Sequence, residues 1–364
     1  MYTIHFQPNW VRRQVDICES HFTEEKVLID HVVGSDLQSL EQQLDKSVFR
    51  SKRVLVAGGA GFIGSWLCDM LVSANALVHC IDNLSTGLSE NIDHLSSLKN
   101  FKFTQLDVTQ FDLNEDCDLV FHLASRASPS EYQQYPVQTL LANSIGTRNM
   151  LELVRKNDAT LLYASSSEVY GDAQVVPTPE TYWGVVNPIG VRSCYDEGKR
   201  FGEALCMAYQ RSHGLDIRIA RIFNTFGPRI RADGAYGRVV SRFIQQALAR
   251  HDITVYGNGG QTRSLCYITD TLSGLSKMAS TDSARGEIFN IGNPHEISIS
   301  DLAQRILELT GSDSKIAYEH LPPDDPVRRC PDISKAKHVL GWEPEASLDD
   351  ALKKTIEWFR FKFG

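Results

Sequence analysis

The sequence lacks the patterns that mark several large classes of protein. Its eight cysteines form no C-x-x-C pair and no metal-type spacing, so we expect reduced thiols and neither a disulfide framework nor a bound metal ion. No signal-peptide pattern opens the chain, and no apolar run approaches the length of a membrane span. The formal net charge of −8 leaves no basic excess for the phosphates of a nucleic acid. We therefore expect a cytoplasmic protein that binds neither membranes nor nucleic acid.

Apolar runs and helix-length segments alternate from residue 52 onward. The predicted strands are Val54–Ala57, Leu77–Ile81, Phe101–Leu106, Leu119–Leu123, Thr160–Ala164 and Ile217–Ile222. The predicted helices are Phe62–Ser73, 136–156, 194–213, 299–310 and 347–360. Short apolar strands separated by helices are typical of an α/β fold with a doubly wound parallel sheet.

Three regions differ in character along the chain. Residues 1–50 carry no chemical signature and only weak helical periodicity near 35–48, which predicts a peripheral extension, with a regulatory or partner-binding role as the alternative. Residues 51–225 hold the strand–helix alternation. From 226 to 364 the elements shorten and Gly and Pro become frequent, which predicts a smaller mixed α/β lobe over the carboxyl edge of the sheet, where most of the substrate would bind.

Gly58, Gly61 and Gly64 have the spacing G-x-x-G-x-x-G between a predicted strand and a predicted helix. Glycine permits the tight turn and the close approach of a pyrophosphate, whose charge the helix N-terminus attracts. Asp82 ends the second strand, where a carboxylate accepts from both ribose hydroxyls and repels a 2′-phosphate. Asp107 ends the third strand, within reach of the adenine amine. The set predicts a Rossmann domain that binds NAD and not NADP.

Tyr195 and Lys199 are four residues apart and share one face of a predicted helix. A phenol with its ordinary pKa of about 10 is a poor base at neutral pH. A lysine ammonium and a positive nicotinamide ring stabilise the phenolate and can bring that pKa toward the working range. A hydroxyl from 165–167, at the end of the fifth strand, can orient a substrate oxygen between the tyrosine and the nicotinamide.

Further motifs narrow the prediction to one family. They are His122–Ser125, Ser167–Gly171, Tyr182–Gly184, Asn187–Gly190, Cys194–Arg200, Arg221–Arg229, Gly237–Ser241, Thr254–Gly257, Gln261–Arg263 and Asp324–Asp332. With these segments, residues 52–362 resemble the extended short-chain dehydrogenase/reductase family. Within that family they are most similar to the UDP-glucuronic acid decarboxylases, which form UDP-xylose.

The resemblance implies chemistry in which NAD is reduced and reoxidised within each turnover. Tyr195 would take the proton from O4 of UDP-glucuronic acid, and Lys199 would hold both the phenolate and the nicotinamide ribose. The 4-ketone lies β to the C6 carboxylate, so carbon dioxide can leave as an enolate forms. Protonation at C5 and return of the hydride would give the pentose.

The same resemblance implies three sets of site residues. The catalytic set is Tyr195, Lys199, Ser166, Ser167, Glu168 and Arg329. The cofactor contacts are Gly58, Gly61, Phe62, Ile63, Gly64, Asp82, Asn83, Asp107, Val108 and Ala124, with Tyr195 and Lys199. The substrate contacts are Arg126, Tyr132, Tyr209, Asn224, Arg238, Tyr256, Arg263 and Arg329.

Two adjacent residues separate the decarboxylases from their relatives. Related sugar 4,6-dehydratases carry Asp-Glu where this chain has Ser167-Glu168, and the 4-epimerases usually have a small or aliphatic residue in place of the glutamate. Glu168 is therefore implied to assist ring distortion or proton traffic. Arg329 matches the arginine of the family that contacts the substrate, and its neighbour Arg328 is expected to be a surface charge.

The chain also departs from the decarboxylase pattern. Arg126 replaces a usual proline, Leu141 a common lysine and Ser166 a common threonine. We hypothesise that Arg126 recognises the acidic end of the sugar, a contact that would slow decarboxylation and suit a 4-epimerase of UDP-glucuronate or a related nucleotide sugar. An NAD-binding sensor or scaffold without turnover is a further alternative. By analogy with the family, helices 136–156 and 194–213 are expected to form a four-helix homodimer interface.

Overall fold

The computed structural model describes residues 19–111, 114–232, 238–321 and 328–363, with the backbone alone for 19–30. Its strands are β1 (Arg53–Ala57), β2 (Leu77–Asp82), β3 (Phe101–Gln105), β4 (Leu119–His122), β5 (Thr160–Ser166), β6 (Asp216–Ile222), β7 (Thr225–Phe226), β8 (Ile253–Tyr256), β9 (Thr262–Ser264), β10 (Cys266–Tyr267), β11 (Ile288–Ile291), β12 (Glu296–Ser298) and β13 (Ile316–Glu319). Its helices are α1 (Glu19–Gln43), α2 (Phe62–Ser73), α3 (Pro129–Gln134), α4 (Pro136–Leu141), α5 (Thr147–Asn157), α6 (Ser193–His213), α7 (Val239–Leu248), α8 (Ile268–Ser280), α9 (Ile299–Thr310), α10 (Ser334–Leu340) and α11 (Leu348–Phe363). The start of the predicted extension and the motif positions 237 and 324–327 lie outside the described residues.

A parallel sheet of seven strands, in the order β11-β6-β5-β4-β1-β2-β3, forms the centre of the protein. Its inner strands are buried because helices cover both faces; in β1, Val54–Ala57 are all buried, whereas in the edge strand β3 only Phe101 is. Six of the seven strands are the six predicted from the sequence. The doubly wound parallel sheet is therefore confirmed.

The chain beyond residue 225 contributes to two parts of the molecule. β11 returns to the central sheet and pairs with β6, and α8 packs against β5 and β6. The remaining strands form small pairs outside that sheet, β10 with β7, β12 with β9, and β13 with β8. The expected boundary at 225/226 therefore does not separate two independent units. Strand β11 follows that boundary in the sequence but belongs to the central sheet.

The end of the N-terminal extension is packed onto the core. Helix α1 lies against α8 and α11, and Val33 and Leu40 on its inner face are buried. Asp36 on the same face is 1% exposed and accepts hydrogen bonds from Tyr267 and Lys354. The periodicity near 35–48 therefore corresponds to a helix with a buried face.

The helix predicted over 136–156 is continuous but contains a π-helical turn. That turn, Ala142–Gly146, joins α4 to α5. A Cβ at Gly146 would lie 2.6 Å from Cγ2 of Val108, so glycine lets the helix approach the loop after β3. Over the described ranges, no helix is both long and apolar enough to cross a membrane.

Candidate active site

A cavity of about 860 Å³ opens at the carboxyl ends of the central strands and extends under the C-terminal elements. Its wall includes all ten glycine-motif and adenosine positions predicted for the cofactor, Gly58, Gly61, Phe62, Ile63, Gly64, Asp82, Asn83, Asp107, Val108 and Ala124. It also includes all six predicted catalytic residues, Ser166, Ser167, Glu168, Tyr195, Lys199 and Arg329. The fold thus brings together residues that are far apart in sequence, at the edge where doubly wound sheets bind ligands.

The glycine turn has the backbone that a pyrophosphate requires. Gly58 has a φ of 84°, and a Cβ there would lie 2.7 Å from the backbone nitrogen of Ala124. A Cβ at Gly64 would lie 2.1 Å from the carbonyl oxygen of Gly58, so side chains are excluded from both positions. Helix α2 begins at Phe62, no side chain caps its N-terminus, and Phe62 and Ile63 line the cavity. The turn therefore fits the phosphates of a dinucleotide.

Two acids hold the loops that would surround adenosine. Asp82 accepts from the amides of Ala60 at 3.0 Å and Leu84 at 2.8 Å, and burial raises its pKa. Asp107 accepts from the side chain of Asn83 at 2.7 Å and from the amide of Thr109 at 2.9 Å. Burial opposes ionisation of Asp107, but these hydrogen bonds outweigh it and lower its pKa. We call the wall formed by Asn83, Asp107 and Val108 the adenosine end.

The tyrosine and lysine of the catalytic pair are both buried on α6. Burial raises the pKa of Tyr195 to about 12, against the opposing effects of the Ser166 hydroxyl and the Arg238 charge. Burial lowers the pKa of Lys199 to about 7. Its Nζ donates to the carbonyl of Ala164 at 2.8 Å and lies 5.9 Å from the centroid of the Tyr195 ring. The residues of the protein alone therefore hold the pKa of Tyr195 above its ordinary value. The predicted lowering depends on Lys199 together with the positive nicotinamide ring of NAD, and it stays a prediction.

A buried carboxylate, that of Glu168, lies beside this pair and accepts hydrogen bonds from two arginines. Glu168 receives Arg329 through both of its oxygens, one of them at 2.5 Å, and Arg192 at 2.7 Å. Burial acts to raise the pKa of Glu168, but the charges of Arg329 and Arg192 prevail and hold it at about 2. Glu168 is thus a permanent anion that fixes two guanidinium groups. We call the wall formed by Tyr195, Glu168 and Arg329 the sugar end.

Arg192 is a site residue that sequence reasoning missed. It precedes α6 by one position and also faces Asp196 at 3.9 Å. Burial and the Glu168 charge raise the pKa of Asp196 to about 7. One feature of the sequence could have indicated Arg192. It lies three residues before Tyr195, and residues three apart on a helix share one face, so its side chain could be expected to reach the same cavity.

The C-terminal elements supply the other wall. The side-chain nitrogen of Asn224 is buried without a hydrogen-bond partner, as expected for a donor that meets a ligand. Arg238 donates to the carbonyl of Ala127 at 3.5 Å. Tyr256 stacks 4.6 Å from the guanidinium of Arg242. Four of the predicted substrate contacts lie on this wall, Asn224, Arg238, Tyr256 and Arg263, together with Arg242 and Gln261, which were not predicted.

Two of the predicted tyrosine contacts are not on the wall. Tyr209 lies fourteen residues beyond Tyr195 on α6, about 21 Å along the axis, and donates to Glu152 at 2.5 Å; that prediction is wrong. Tyr132 packs behind the wall, its ring stacked on Tyr195 with centroids 5.1 Å apart. The division between the two arginines agrees with expectation, because Arg329 is buried and Arg328 pairs with Glu296 at the surface.

Arg126 lines the cavity but does not lie at the sugar end. It forms a salt bridge with the buried Glu131, and its guanidinium carbon lies 4.4 Å from the centroid of the Tyr135 ring. The cation whose charge lowers the pKa of Tyr195 is Arg238, and those that lower the pKa of Glu168 are Arg329 and Arg192. The contacts of Arg126 with Glu131 and Tyr135 therefore give no support to the hypothesis that it binds the acidic end of the sugar.

Comparison with known proteins assigns the family. Residues 54–292 match the model of the NAD dependent epimerase/dehydratase family. The chain belongs to this family. It is 49% identical over 309 residues to UDP-glucuronic acid decarboxylase 1 of Xenopus tropicalis, covering 85% of this chain and 72% of that one. It is 49% identical over 313 residues to UDP-glucuronic acid decarboxylase 6 of Arabidopsis thaliana, covering 86% and 90%.

Solved structures agree with the fold and with the cofactor. An epimerase from Methanothermobacter thermautotrophicus superimposes with a TM-score of 0.80 at 30% identity, over 86% of this chain and 94% of that one. UDP-glucuronic acid 4-epimerase from Bacillus cereus, in complex with UDP-glucuronic acid and NAD, gives a TM-score of 0.78 at 29% identity, over 85% and 100%. The chain is thus an NAD-dependent enzyme of the extended short-chain dehydrogenase/reductase type.

Proposed function

We propose that this enzyme converts UDP-glucuronic acid to UDP-xylose and carbon dioxide, with NAD reduced and reoxidised in the same turnover. The observation that carries the proposal is the sugar end of the cavity, where Glu168 and two arginines adjoin the Tyr195–Lys199 pair. The similarity to UDP-glucuronic acid decarboxylases over most of the chain supports it.

Each step has residues in place within the cavity. Tyr195, as the phenolate, would accept the O4 proton while Ser166 orients that oxygen, and Lys199 would stabilise the phenolate before the transfer. Bound NAD supplies an acceptor for the hydrogen at C4 and later returns it. The ketone at C4 then allows the bond between C5 and C6 to break, because its electron pair delocalises into an enolate as carbon dioxide leaves. Protonation at C5 and re-reduction at C4 complete the pentose.

Glu168 serves this reaction by positioning. Despite burial, the charges of Arg329 and Arg192 hold its pKa well below the usual range, so at neutral pH its carboxylate is the anionic partner of both guanidinium groups. Its carboxylate instead fixes the guanidinium groups of Arg329 and Arg192 at the sugar end, where Arg329 would contact the substrate. Preorganised charges of this kind cost nothing to orient when the enolate develops.

A 4-epimerase of UDP-glucuronate or a related sugar is the alternative. Such an enzyme must hold its β-keto acid intermediate without losing carbon dioxide, and Arg126 was the residue suggested for that grip. Because Arg126 is paired with Glu131 away from the sugar end, the structure offers no such grip from it. A non-catalytic sensor is disfavoured by the assembled catalytic set.

The deciding experiment follows the proton NMR spectrum of UDP-glucuronic acid and NAD incubated with the purified enzyme. The proposal predicts a pentose spectrum in which C6 has been lost. A hexuronic acid inverted at C4 would make the enzyme an epimerase, and an unchanged spectrum would direct the search to other nucleotide sugars. Tyr195→Phe serves as the inactive control, since it retains the ring but lacks the hydroxyl.

We further propose that the enzyme is a homodimer through a four-helix interface. Apolar side chains on α4, the π-helical turn and α6 are exposed, namely Val137, Leu140, Leu141, Ile145 and Phe201, and α4 packs beside α6. A contiguous exposed apolar face of this kind favours association. Sedimentation of wild type and Phe201→Glu tests the dimer.

A reducing, cytoplasmic location is also proposed, supported by the free, buried state of the seven cysteines in the described ranges.

A further inference from the structure

Arg126 is held rigidly on the cavity wall by two neighbours. Its guanidinium forms a salt bridge with Glu131, which is only 1% exposed, and it lies over the ring of Tyr135 at 4.4 Å. The side chain of Arg126 is itself 14% exposed, toward the cavity that it lines. A planar cation fixed along one edge and on one ring is preorganised to receive a further planar group.

The surroundings place this cation at the adenosine end. The charge of Arg126 is among those that lower the pKa of Asp107. The adjacent Ser125 accepts a hydrogen bond from Asn143 at 2.9 Å, and Asn143 belongs to the π-helical turn that presses Gly146 against Val108. The loop that carries Arg126 is therefore tied to the elements that form the adenosine end.

Charge balance argues against the sugar as the partner of Arg126. Its guanidinium already has a buried carboxylate, Glu131, and a second carboxylate would meet a neutral pair instead of a free cation. The sugar end has its own cations, Arg192 and Arg329. An uncharged, planar, electron-rich group suits a guanidinium that already has a carboxylate partner, because the flat face of the guanidinium can still stack on a ring while its edge stays paired.

We infer that Arg126 is a binding residue for the adenosine half of NAD, with its guanidinium against the adenine, and that it helps to retain the cofactor during turnover. Retention matters because the hydride removed from C4 must be returned by the same cofactor molecule. The role concerns NAD binding alone and holds whether the sugar is decarboxylated or epimerised.

Calorimetric titration of NAD into stripped enzyme without sugar tests this directly. Arg126→Met keeps the length of the side chain but removes the planar cation. We expect the dissociation constant for NAD to rise about tenfold and the cofactor to be lost on dialysis, while KM for UDP-glucuronic acid at saturating NAD stays within a factor of two. A raised KM with unchanged NAD affinity would overturn the inference and return Arg126 to the sugar.

Matched variants separate binding from folding. Arg126→Met alone leaves Glu131 buried and unpaired, which is destabilising in itself. The double variant Arg126→Met/Glu131→Gln removes that stranded charge, and Glu131→Gln alone keeps the cation. We expect the double variant to bind NAD as weakly as Arg126→Met, and Glu131→Gln to stay within threefold of wild type. Wild-type NAD affinity in the double variant would refute a direct contact.

Discussion

Glu168 and Asp36 are both carboxylates withdrawn from solvent and held between two donors, yet they lie in opposite surroundings. Glu168 joins Arg192 and Arg329 around the sugar end of the cavity. Asp36 joins the hydroxyl of Tyr267 and the ammonium of Lys354 where helix α1 meets β10 and α11. The same electrostatic arrangement thus appears once beside a large cavity and once inside a packed contact between elements.

The effect of removing a buried carboxylate depends on whether its partners line a cavity or pack inside the fold. Glu168 holds two cations that line the cavity, so its charge contributes to the site that a ligand would occupy. Asp36 is not on the cavity wall; its acceptors are used by groups of the same chain. Loss of the first carboxylate should therefore appear in catalysis, and loss of the second in stability.

The largest effect is expected for Glu168→Gln. The amide keeps the shape but removes the charge that orients Arg192 and Arg329, so kcat should fall by about 10² to 10³, the range seen when one preorganised electrostatic contact is lost. Steady-state release of carbon dioxide measures it. NAD affinity, set at the other end of the cavity, should be unchanged. A rate within threefold of wild type would contradict the positioning role.

As the pH falls, the free energy of unfolding of the wild type should decrease more than that of Glu168→Gln, which has no carboxylate at this position. The folded pKa is about 2 against an ordinary 4.5, so Glu168 contributes stability above pH 4.5 that is lost as the pH falls toward 2. The contribution is on the order of 3 kcal/mol. Urea unfolding of both proteins at pH 6 and pH 3.5 should show a gap that narrows with acid. A gap independent of pH would mean that Glu168 is not ion-paired in the fold.

Asp36→Ala should leave kcat nearly unchanged and reduce the free energy of unfolding by about 2 kcal/mol. It strands the buried hydroxyl of Tyr267, whereas Lys354 can turn to solvent because its side chain is 41% exposed. Chemical denaturation measures the loss. Gln38→Ala, at an exposed position of the same helix, is the control and should change stability little. A large fall in kcat for Asp36→Ala would erase the distinction between the two carboxylates.

The part of the fold with a short-range signal was predictable from sequence. The six central strands are short, largely apolar segments separated by helix-length segments, and the glycine turn between β1 and α2 has a spacing fixed by the phosphate it must approach. β11 was missed because Ile288–Ile291 is a short run among Gly-rich segments, and its partner β6 is distant in sequence. The π-helical turn at Ala142–Gly146 left no mark in the periodicity.

For the site too, residues with a local sequence pattern were predictable, whereas contacts that depend on the folded structure were not. Tyr195, Lys199 and the glycine and aspartate positions were predicted because they lie on one helical face or at strand ends, whereas Glu168 and Arg329 were predicted only from the resemblance to the family. Tyr209 was misplaced because motif matching does not report how far along α6 a side chain lies from the cavity. Arg126 was recognised as unusual, but its partner Glu131 depends on the turn between β4 and α3, which spacing does not give.

The smallest effect is expected for Tyr267→Phe, which removes one hydrogen bond to Asp36 while Lys354 remains in place. Burial and the neighbouring Asp36 carboxylate raise the pKa of Tyr267 far above its usual range, so the hydroxyl is a neutral donor at all working pH values and its loss should cost about 1 kcal/mol. Tyr318→Phe, at a mostly exposed ring, is the control for loss of a hydroxyl. In the Asp36→Ala background Tyr267→Phe should cost less than it does alone, because the hydroxyl has already lost its acceptor. Equal costs in both backgrounds would show that Asp36 and Tyr267 do not act as one contact.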